Sequence, residues 1–251
     1  MTPDHAKLLT KIKRAARPIH RERPTNDSYG GSGRPFYNVS VPDRRSIAKR
    51  FVAAHKTDPK LVLATAESLF AGDSHEEKTL ACLLLEGSAE ARAKVKPKDI
   101  EGWLGQLNGW AEIDSLCQNL FTDELSSDWP AWQKLIERLS KARDINRRRA
   151  SLVLLTRPVH VSNDRRFRDQ AFAVIERLQN ERHILITKAV SWLLRSMTTH
   201  HGKAVERFLK ANTETLPKIA IRETTIKLRT GTKSGRSPQT KRRTSSSRRR
   251  D

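Results

Sequence analysis

The chain has 251 residues, of which 36% are hydrophobic and 31% are charged, so it is long enough for one sizeable core or two small ones. Its 49 lysine and arginine residues against 28 aspartate and glutamate residues leave a net charge of +21. Such an excess predicts a polyanionic partner: nucleic acid, an anionic membrane surface or a ribosome-like assembly. No stretch approaches 18 uncharged apolar residues, and two cysteines provide neither a disulfide framework nor a metal-binding CxxC pair.

The positive charge is not confined to one end of the chain. Residues 231–251 contain eight basic residues and one acidic residue, a net of +7, so residues 1–230 carry +14. The first 17 residues lack the apolar region of a signal peptide, and we therefore expect an intracellular protein. Cys82 and Cys117 each lie in an apolar helical pattern, which is typical of free buried thiols.

The N-terminal part predicts one short helix, an irregular stretch and then a regular series of helices. Residues 4–16 form a basic helical pattern. Residues 17–36 contain three prolines and three glycines, which predicts a linker or mobile loop, and within it Tyr29 could contact a phosphate or a base. Ser40, Pro42 and Asp43 have the pattern of a helix start.

Short polar or proline-containing turns separate the helices that follow, and no β-alternation or Asn-Gly hairpin appears. His75 and the two glutamates after it lack a second histidine at metal spacing, so they indicate a polar first turn rather than a zinc site. The first predicted helix runs from the start at Ser40 to about residue 55, and the others cover residues 61–70, 74–86, 98–107, 109–121, 131–141, 145–156, 164–178, 182–197, 203–211 and 217–228.

This series of helix pairs predicts an all-α fold, an α-solenoid of HEAT-like helix pairs with a concave basic face; an ordinary helical bundle is the alternative. Three regions are expected: residues 1–36 with the basic helix and the linker, a HEAT-like repeat domain over 37–229, and a tail over 230–251. Because the tail has almost no apolar residues, it should be disordered. The tail would attract phosphates non-specifically, or it would have no role in binding.

The segment from Gly109 to Phe121 reads GWAEIDSLCQNLF. On a 3.6-residue period its apolar residues form one stripe, which consists of Ile113, Leu116, Cys117 and Leu120. Trp110 and Asp114 lie off that stripe and, being four residues apart, place an indole beside a carboxylate on one flank. The segment alone leaves two interpretations, a rim tryptophan beside a solvated aspartate or a functional pair.

Arg149 points into the apolar arc of the helix predicted over 145–156, whereas Arg148 falls in its polar arc. An inward arginine is costly unless it is paired or binds an anion. The sequence leaves both interpretations open, a structural buried ion pair and a phosphate clamp.

Trp192 lies one step outside the core stripe of the helix predicted over 182–197. Lys188 and Arg195 share its flank, so two cations bracket the indole. On a basic protein this arrangement favours a surface for phosphate and base or sugar. Two indoles, one carboxylate and several cations together suit a cationic reactant on an anionic chain, because aromatic faces attract cations and a carboxylate stabilises positive charge.

From about residue 37 to residue 228 the sequence resembles the DNA alkylation repair family, the bacterial HEAT-like-repeat DNA glycosylases of the AlkD type. Four segments carry the resemblance: YNVSVPDRR (37–45), GWAEIDS (109–115), INRRRASLVLL (145–155) and ITKAVSWLLR (186–195). The W-x-x-x-D spacing, the arginine helix and the K-A-x-x-W-x-L-R segment are specific in combination.

The resemblance implies a monofunctional glycosylase that hydrolyses the N-glycosidic bond of cationic N3- or N7-alkylated purines in duplex DNA, in base excision repair, without a metal or other cofactor. Asp114 would be the catalytic carboxylate, and Trp110 and Trp192 would line the deoxyribose of the lesion. Arg149 would contact the backbone near the lesion. Further DNA contacts would come from Ser40, Arg44, Arg148, Lys188 and Arg195.

We expect a cytoplasmic, nucleoid-associated monomer that binds double-stranded DNA and no membrane. Two other hypotheses stay open. One is a non-catalytic HEAT-like-repeat protein that binds damaged or branched DNA. The other is a helical scaffold for protein partners, which leaves the +14 charge of residues 1–230 unexplained.

Overall fold

The computed structural model describes residues 1–18 and 32–235, and within these ranges all regular secondary structure is helical. The prediction of an all-α fold is confirmed. Most of the predicted linker, the proposed contact at Tyr29 and most of the predicted disordered tail lie outside the described residues. The helices in chain order are α1 (Pro3–Arg14), α2 (Val41–Ala54), α3 (Pro59–Phe70), α4 (His75–Gly87), α5 (Ala89–Arg92), α6 (Pro97–Leu104), α7 (Gly109–Cys117), α8 (Thr122–Ser127), α9 (Trp129–Ser140), α10 (Ile145–Thr156), α11 (Pro158–Val161), α12 (Arg165–Leu178), α13 (Ile184–Ala211) and α14 (Lys218–Thr230).

Several helices begin where the sequence places a capping residue. The Ser40 hydroxyl accepts a hydrogen bond from the backbone N–H of Asp43 and so caps α2. Ser74 and Glu77 form a reciprocal capping box at the start of α4. The predicted start of α2 is thus confirmed, and its cause is the satisfaction of backbone N–H groups at the helix end.

The chain divides into two compact units, residues 1–150 and residues 151–251, and the boundary falls within α10. It also falls within the range 37–229, over which the sequence predicts one domain. In the first unit α3 and α2 both pack on α4, and α1 packs on α2 and α3. Leu8 and Ile12 of α1 are buried, so the first helix belongs to the core of this unit.

α7 ends earlier than the sequence predicts, although the residues after it contribute to the aromatic core of the first unit. The predicted helix over 109–121 stops at Cys117, four residues early. Phe121 is nonetheless buried, and its ring lies 5.3 Å from the ring of Trp132 on α9. The chain therefore leaves the helix while its apolar residues stay in the core. Cys82 and Cys117 are both free and buried, as predicted.

The second unit is built on α13, which packs against α11, α12 and α14. Its core includes Phe208, whose ring stacks on that of the half-buried Phe172 with centroids 4.4 Å apart. The sequence predicts two helices over 182–197 and 203–211, and α13 consists of two helical segments that meet at a kink at His201, where φ is −123° and ψ is 26°. The predicted break is a kink rather than a loop. No helix in the described part of the chain is long and apolar enough to cross a membrane.

Candidate active site

The start of α7 is fixed by groups on both of its sides. The Asn108 side-chain oxygen accepts from the backbone N–H of Gly109 at 3.0 Å, and Gly109 has a φ of +73°, a conformation that favours glycine. Glu112, one turn into the helix, accepts from the backbone N–H of Asn108 at 3.0 Å. The first turn of α7, which carries Trp110, therefore has a defined position.

Asp114 of α7 and Arg149 of α10 form a two-point ion pair. Arg149 Nε donates to Asp114 Oδ1 at 2.9 Å, and Arg149 Nη2 donates to Asp114 Oδ2 at 2.7 Å. The exposed fractions of the two residues are 9% and 5%. A planar guanidinium can hold both carboxylate oxygens in this way, whereas an ammonium cannot. Of the two interpretations of Arg149, the structure shows the buried ion pair.

The environment of Asp114 acts on its pKa in two opposing ways. Burial raises the pKa of Asp114 above its ordinary value, and the hydrogen bonds and positive charge of Arg149 oppose this rise. The result is a carboxylate with few water neighbours and a fixed orientation. Charges interact more strongly in such surroundings than in water, so positive charge that develops near Asp114 would be stabilised.

A second tie between α7 and α10 lies beside the ion pair. The Asn146 amide donates to the Asn108 side-chain oxygen at 3.0 Å. Asn146 and Arg149 are three residues apart and share one face of α10. Two polar ties thus set the register of α10 against α7. Trp110 lies one turn before Asp114 and is half-buried, so part of the indole reaches the surface near the pair.

A buried polar network supports α7, and sequence reasoning missed it. The Glu112 side chain is fully buried, 3.4 Å from Arg34 Nε and 3.3 Å from His75 Nδ1. The Arg34 guanidinium also donates to the Gln106 carbonyl at 2.7 Å. The segment around Arg34 is therefore attached to the residues that precede α7.

The same network continues into the first turn of α4. Glu76 accepts from the backbone N–H of Tyr37 at 3.0 Å and from that of Val39 at 3.2 Å. Glu77 Oε1 lies 2.7 Å from His5 Nε2. The sequence indicates a polar first turn here, and the structure shows that it is buried. The Ser74-x-x-Glu77 capping pattern is the one signal that could have pointed to these contacts.

Other predicted DNA-binding residues of the first unit have local partners. Ser40 caps α2 and donates to the Asp43 carboxylate at 2.7 Å. Arg44 is buried, and its guanidinium donates to the Thr79 hydroxyl. Arg148 donates to the carbonyls of residues 142 and 143 in the turn between α9 and α10. Because Arg44 lies inside the protein, we do not retain it as a DNA contact.

The predicted residues of the second unit lie on α13. Trp192 is half-buried and Lys188 is exposed. Arg195 Nε lies 3.3 Å from a carboxylate oxygen of Glu223 on α14, which also accepts from the Ser191 hydroxyl at 2.7 Å. The cation of Arg195 is thus engaged by a carboxylate within its own unit. Sequence periodicity gave no indication of this pair, because its partner lies on another helix.

Within residues 1–18 and 32–235, no group of three or more histidine, cysteine, aspartate or glutamate side chains is arranged to hold a metal ion. The described residues define a basic all-α protein with a buried carboxylate–guanidinium pair one helical turn from a partly exposed indole. The chain belongs to the DNA alkylation repair family: a family model described as "DNA alkylation repair enzyme" matches residues 10–228. Membership assigns it an enzymatic role in the repair of alkylated DNA.

A solved structure supports the fold. The chain is similar to a predicted DNA alkylation repair enzyme from Enterococcus faecalis, with 17% sequence identity and a TM-score of 0.63. The match covers 89% of this chain and 94% of the other. At this identity the likeness concerns the fold alone. No curated protein matches the chain significantly.

Proposed function

We propose that the protein is a monofunctional DNA glycosylase that hydrolyses the N-glycosidic bond of cationic N3- or N7-alkylated purines in duplex DNA. The observation that carries the proposal is the buried Asp114 carboxylate, held at both oxygens by Arg149 and one turn from Trp110. Family membership supports DNA as the substrate.

The reaction needs what this pair of residues can supply. An alkylated purine already carries positive charge, so it leaves without strong acid catalysis. As the bond breaks, positive charge moves onto the sugar, which becomes oxocarbenium-like. A fixed carboxylate in a poorly hydrated position stabilises that charge and can orient the attacking water.

Arg149 has a positioning role in this account. Its two N–H groups fix the plane of the Asp114 carboxylate, and its charge opposes the effect of burial on the Asp114 pKa. Trp110 would offer its partly exposed indole to the cationic sugar or base. Trp192, Lys188 and Arg195 belong to the second unit, and the resemblance alone suggests their part in DNA binding. Separate substitutions would test each of them.

The direct test is base release from two duplexes. In one, methylation has produced 7-methylguanine and 3-methyladenine; the other contains uracil, a neutral leaving group. We expect release of both cationic bases and no release of uracil, because the ionised Asp114 of the proposed mechanism cannot protonate a neutral leaving base. Mass spectrometry of the released bases gives the readout. Binding of the methylated duplex without release of either base would overturn the proposal.

One observation favours a second candidate, a non-catalytic DNA-binding protein. Both oxygens of Asp114 are engaged by Arg149, which is the arrangement expected of a purely structural ion pair. This candidate predicts tight, salt-sensitive DNA binding with no base release from any alkylated duplex. The same assay separates the two candidates.

A further inference from the structure

The second unit has a basic pocket at the kink of α13. A pocket of about 570 Å³ opens there between the start of α12 and the residues around His201. None of the residues that line it is an aspartate or glutamate. Six of them can carry positive charge, namely Arg165, Arg168, His200, His201, Lys203 and Arg207.

Most of this charge is not neutralised within the described residues. Arg168 pairs with Asp169 at 2.7 Å. In contrast, Arg165, Lys203 and Arg207 are exposed and have no ion-pair partner in residues 1–18 and 32–235. Like charges gathered in one concavity repel each other, so the pocket favours an anion.

His201 provides a second and independent indication of a ligand. The residue is 6% exposed and lines the pocket, yet its Nε2 has no hydrogen-bond partner among the described residues. Buried polar atoms in proteins almost always have a partner. In a neutral ring that hydrogen-bonds the Ser162 backbone, Nε2 is an acceptor, so an oxygen of a bound anion becomes its partner once Nε2 is protonated.

We propose that this pocket binds a phosphate group of the DNA backbone and gives the second unit a DNA contact of its own. A phosphate offers several acceptor oxygens to guanidinium groups, and Nε2 of a protonated His201 can donate to one of them. Backbone phosphates supply most of the non-sequence-specific affinity of DNA-binding proteins. The inference rests on DNA as the partner in the proposed function but requires no base release.

The charges around His201 add a pH dependence. Burial lowers the pKa of His201, and Arg168 and His200 lower it further, while Asp169 and a hydrogen bond with the Ser162 backbone oppose this. Asp164, at the start of α12, also interacts with the ring. In the free protein the ring is therefore neutral at neutral pH. A phosphate would favour its protonation, so binding should strengthen as the pH falls.

The test measures binding of the full chain to a short undamaged duplex by fluorescence anisotropy over a range of salt concentrations. The variant is Arg165→Gln with Arg207→Gln. Its matched control is Arg177→Gln with Lys210→Gln, which removes two exposed charges from the same helices outside the pocket. We expect the pocket variant to lose affinity about tenfold and its salt slope to fall by about one, as for the loss of one phosphate contact.

An equal and small loss in both double variants would show that only general charge matters and would overturn the inference. Because no base is released in this assay, such a failure leaves the proposed glycosylase untouched. Circular dichroism checks that all variants are folded.

A second arm tests His201 itself. Affinity for the duplex should rise as the pH falls towards and below the ordinary histidine pKa of about 6.5, because burial lowers the pKa of His201 in the free protein and a bound phosphate favours the protonated ring. His201→Gln should lose this dependence, whereas His200→Gln should keep most of it. Inorganic sulfate serves as the free anion. If sulfate shifts the NMR signals of the His201 ring in a saturable way and the duplex leaves these signals unchanged, the pocket binds a free anion and not DNA. That result would overturn the inference.

Discussion

Asp114 and Arg149 neutralise each other's buried charge. A buried carboxylate or guanidinium alone would be strongly unfavourable, and removal of one partner of such a pair typically costs about 3–5 kcal/mol. Together they satisfy each other at 2.9 and 2.7 Å and connect α7 to α10. The pair is thus both a structural tie and the proposed source of catalysis, and variants must separate the two roles.

At the residue scale, Arg149→Gln should change the pH profile of base release. In the proposed mechanism release needs ionised Asp114, so the rate should fall as the pH falls through the Asp114 pKa. Burial raises that pKa and Arg149 opposes the rise, so loss of the guanidinium should raise the pKa further. The acid limb of the single-turnover rate should therefore move to higher pH.

The matched control is Arg147→Gln, on the same helix, which lies 3.7 Å from Glu101 and not near Asp114. Its pH profile should match that of the wild type. If Arg149→Gln does not change the pH at which the acid limb falls, Arg149 does not influence the pKa of the catalytic carboxylate.

Part of this pair could be predicted from the sequence. Helical periodicity put Arg149 in an apolar arc, and the cost of burying a guanidinium required a partner or an anion. Which of the two it was could not be predicted, because Asp114 is 35 residues away and periodicity carries no information on contacts between helices. The resemblance pointed to both residues but gave Arg149 a different role.

At the scale of elements, α7 depends on the buried network at its start. Glu112→Gln keeps the shape of the side chain but removes the charge that faces Arg34 and His75. We expect the free energy of unfolding to fall by about 1–3 kcal/mol, because a neutral amide replaces a buried carboxylate that hydrogen-bonds His75 and the Asn108 backbone N–H and pairs with Arg34. Denaturant unfolding measures this change, with the exposed Glu90→Gln as the control.

A displaced α7 should also slow catalysis, because small shifts of a catalytic group are costly. Single-turnover release by Glu112→Gln should fall by up to about 10²-fold, with affinity for an undamaged duplex unchanged. A variant that is less stable but releases the base at the wild-type rate would assign Glu112 a purely structural role.

The sequence predicts the positions of the helices far better than it predicts this buried network, because helix positions depend on local signals. Ser40 and Pro42 fix the start of α2 through capping and backbone preference, and both are visible in the sequence. The burial of Glu76, Glu77 and Glu112 was not predictable, since their partners come from distant segments. A glutamate in a first helical turn usually faces water, and only the packed structure shows otherwise.

At the scale of the whole molecule, the net charge of +21 should strengthen the proposed association with DNA. Residues 236–251 contain seven basic residues and one acidic residue, a net of +6. Truncation after Gly235 should weaken binding to an undamaged duplex and lower the steepness of its salt dependence, because fewer counterions are released. Anisotropy titrations at several salt concentrations measure both effects.

The truncated protein should keep the wild-type rate of base release when it is present at saturating concentration, because Asp114 and Arg149 are unaffected. Loss of that rate would mean that residues 236–251 take part in the chemical step.

The central claim is that the Asp114 carboxylate drives the release of a cationic base. The most direct measurement compares single-turnover release of 7-methylguanine by Arg149→Gln with release by the double variant Asp114→Asn, Arg149→Gln. In this background no buried guanidinium is left unpaired, so the second substitution removes the carboxylate and little else. The proposal predicts a further loss of at least about 10²-fold, with duplex binding unchanged. Equal rates for the two variants would contradict it.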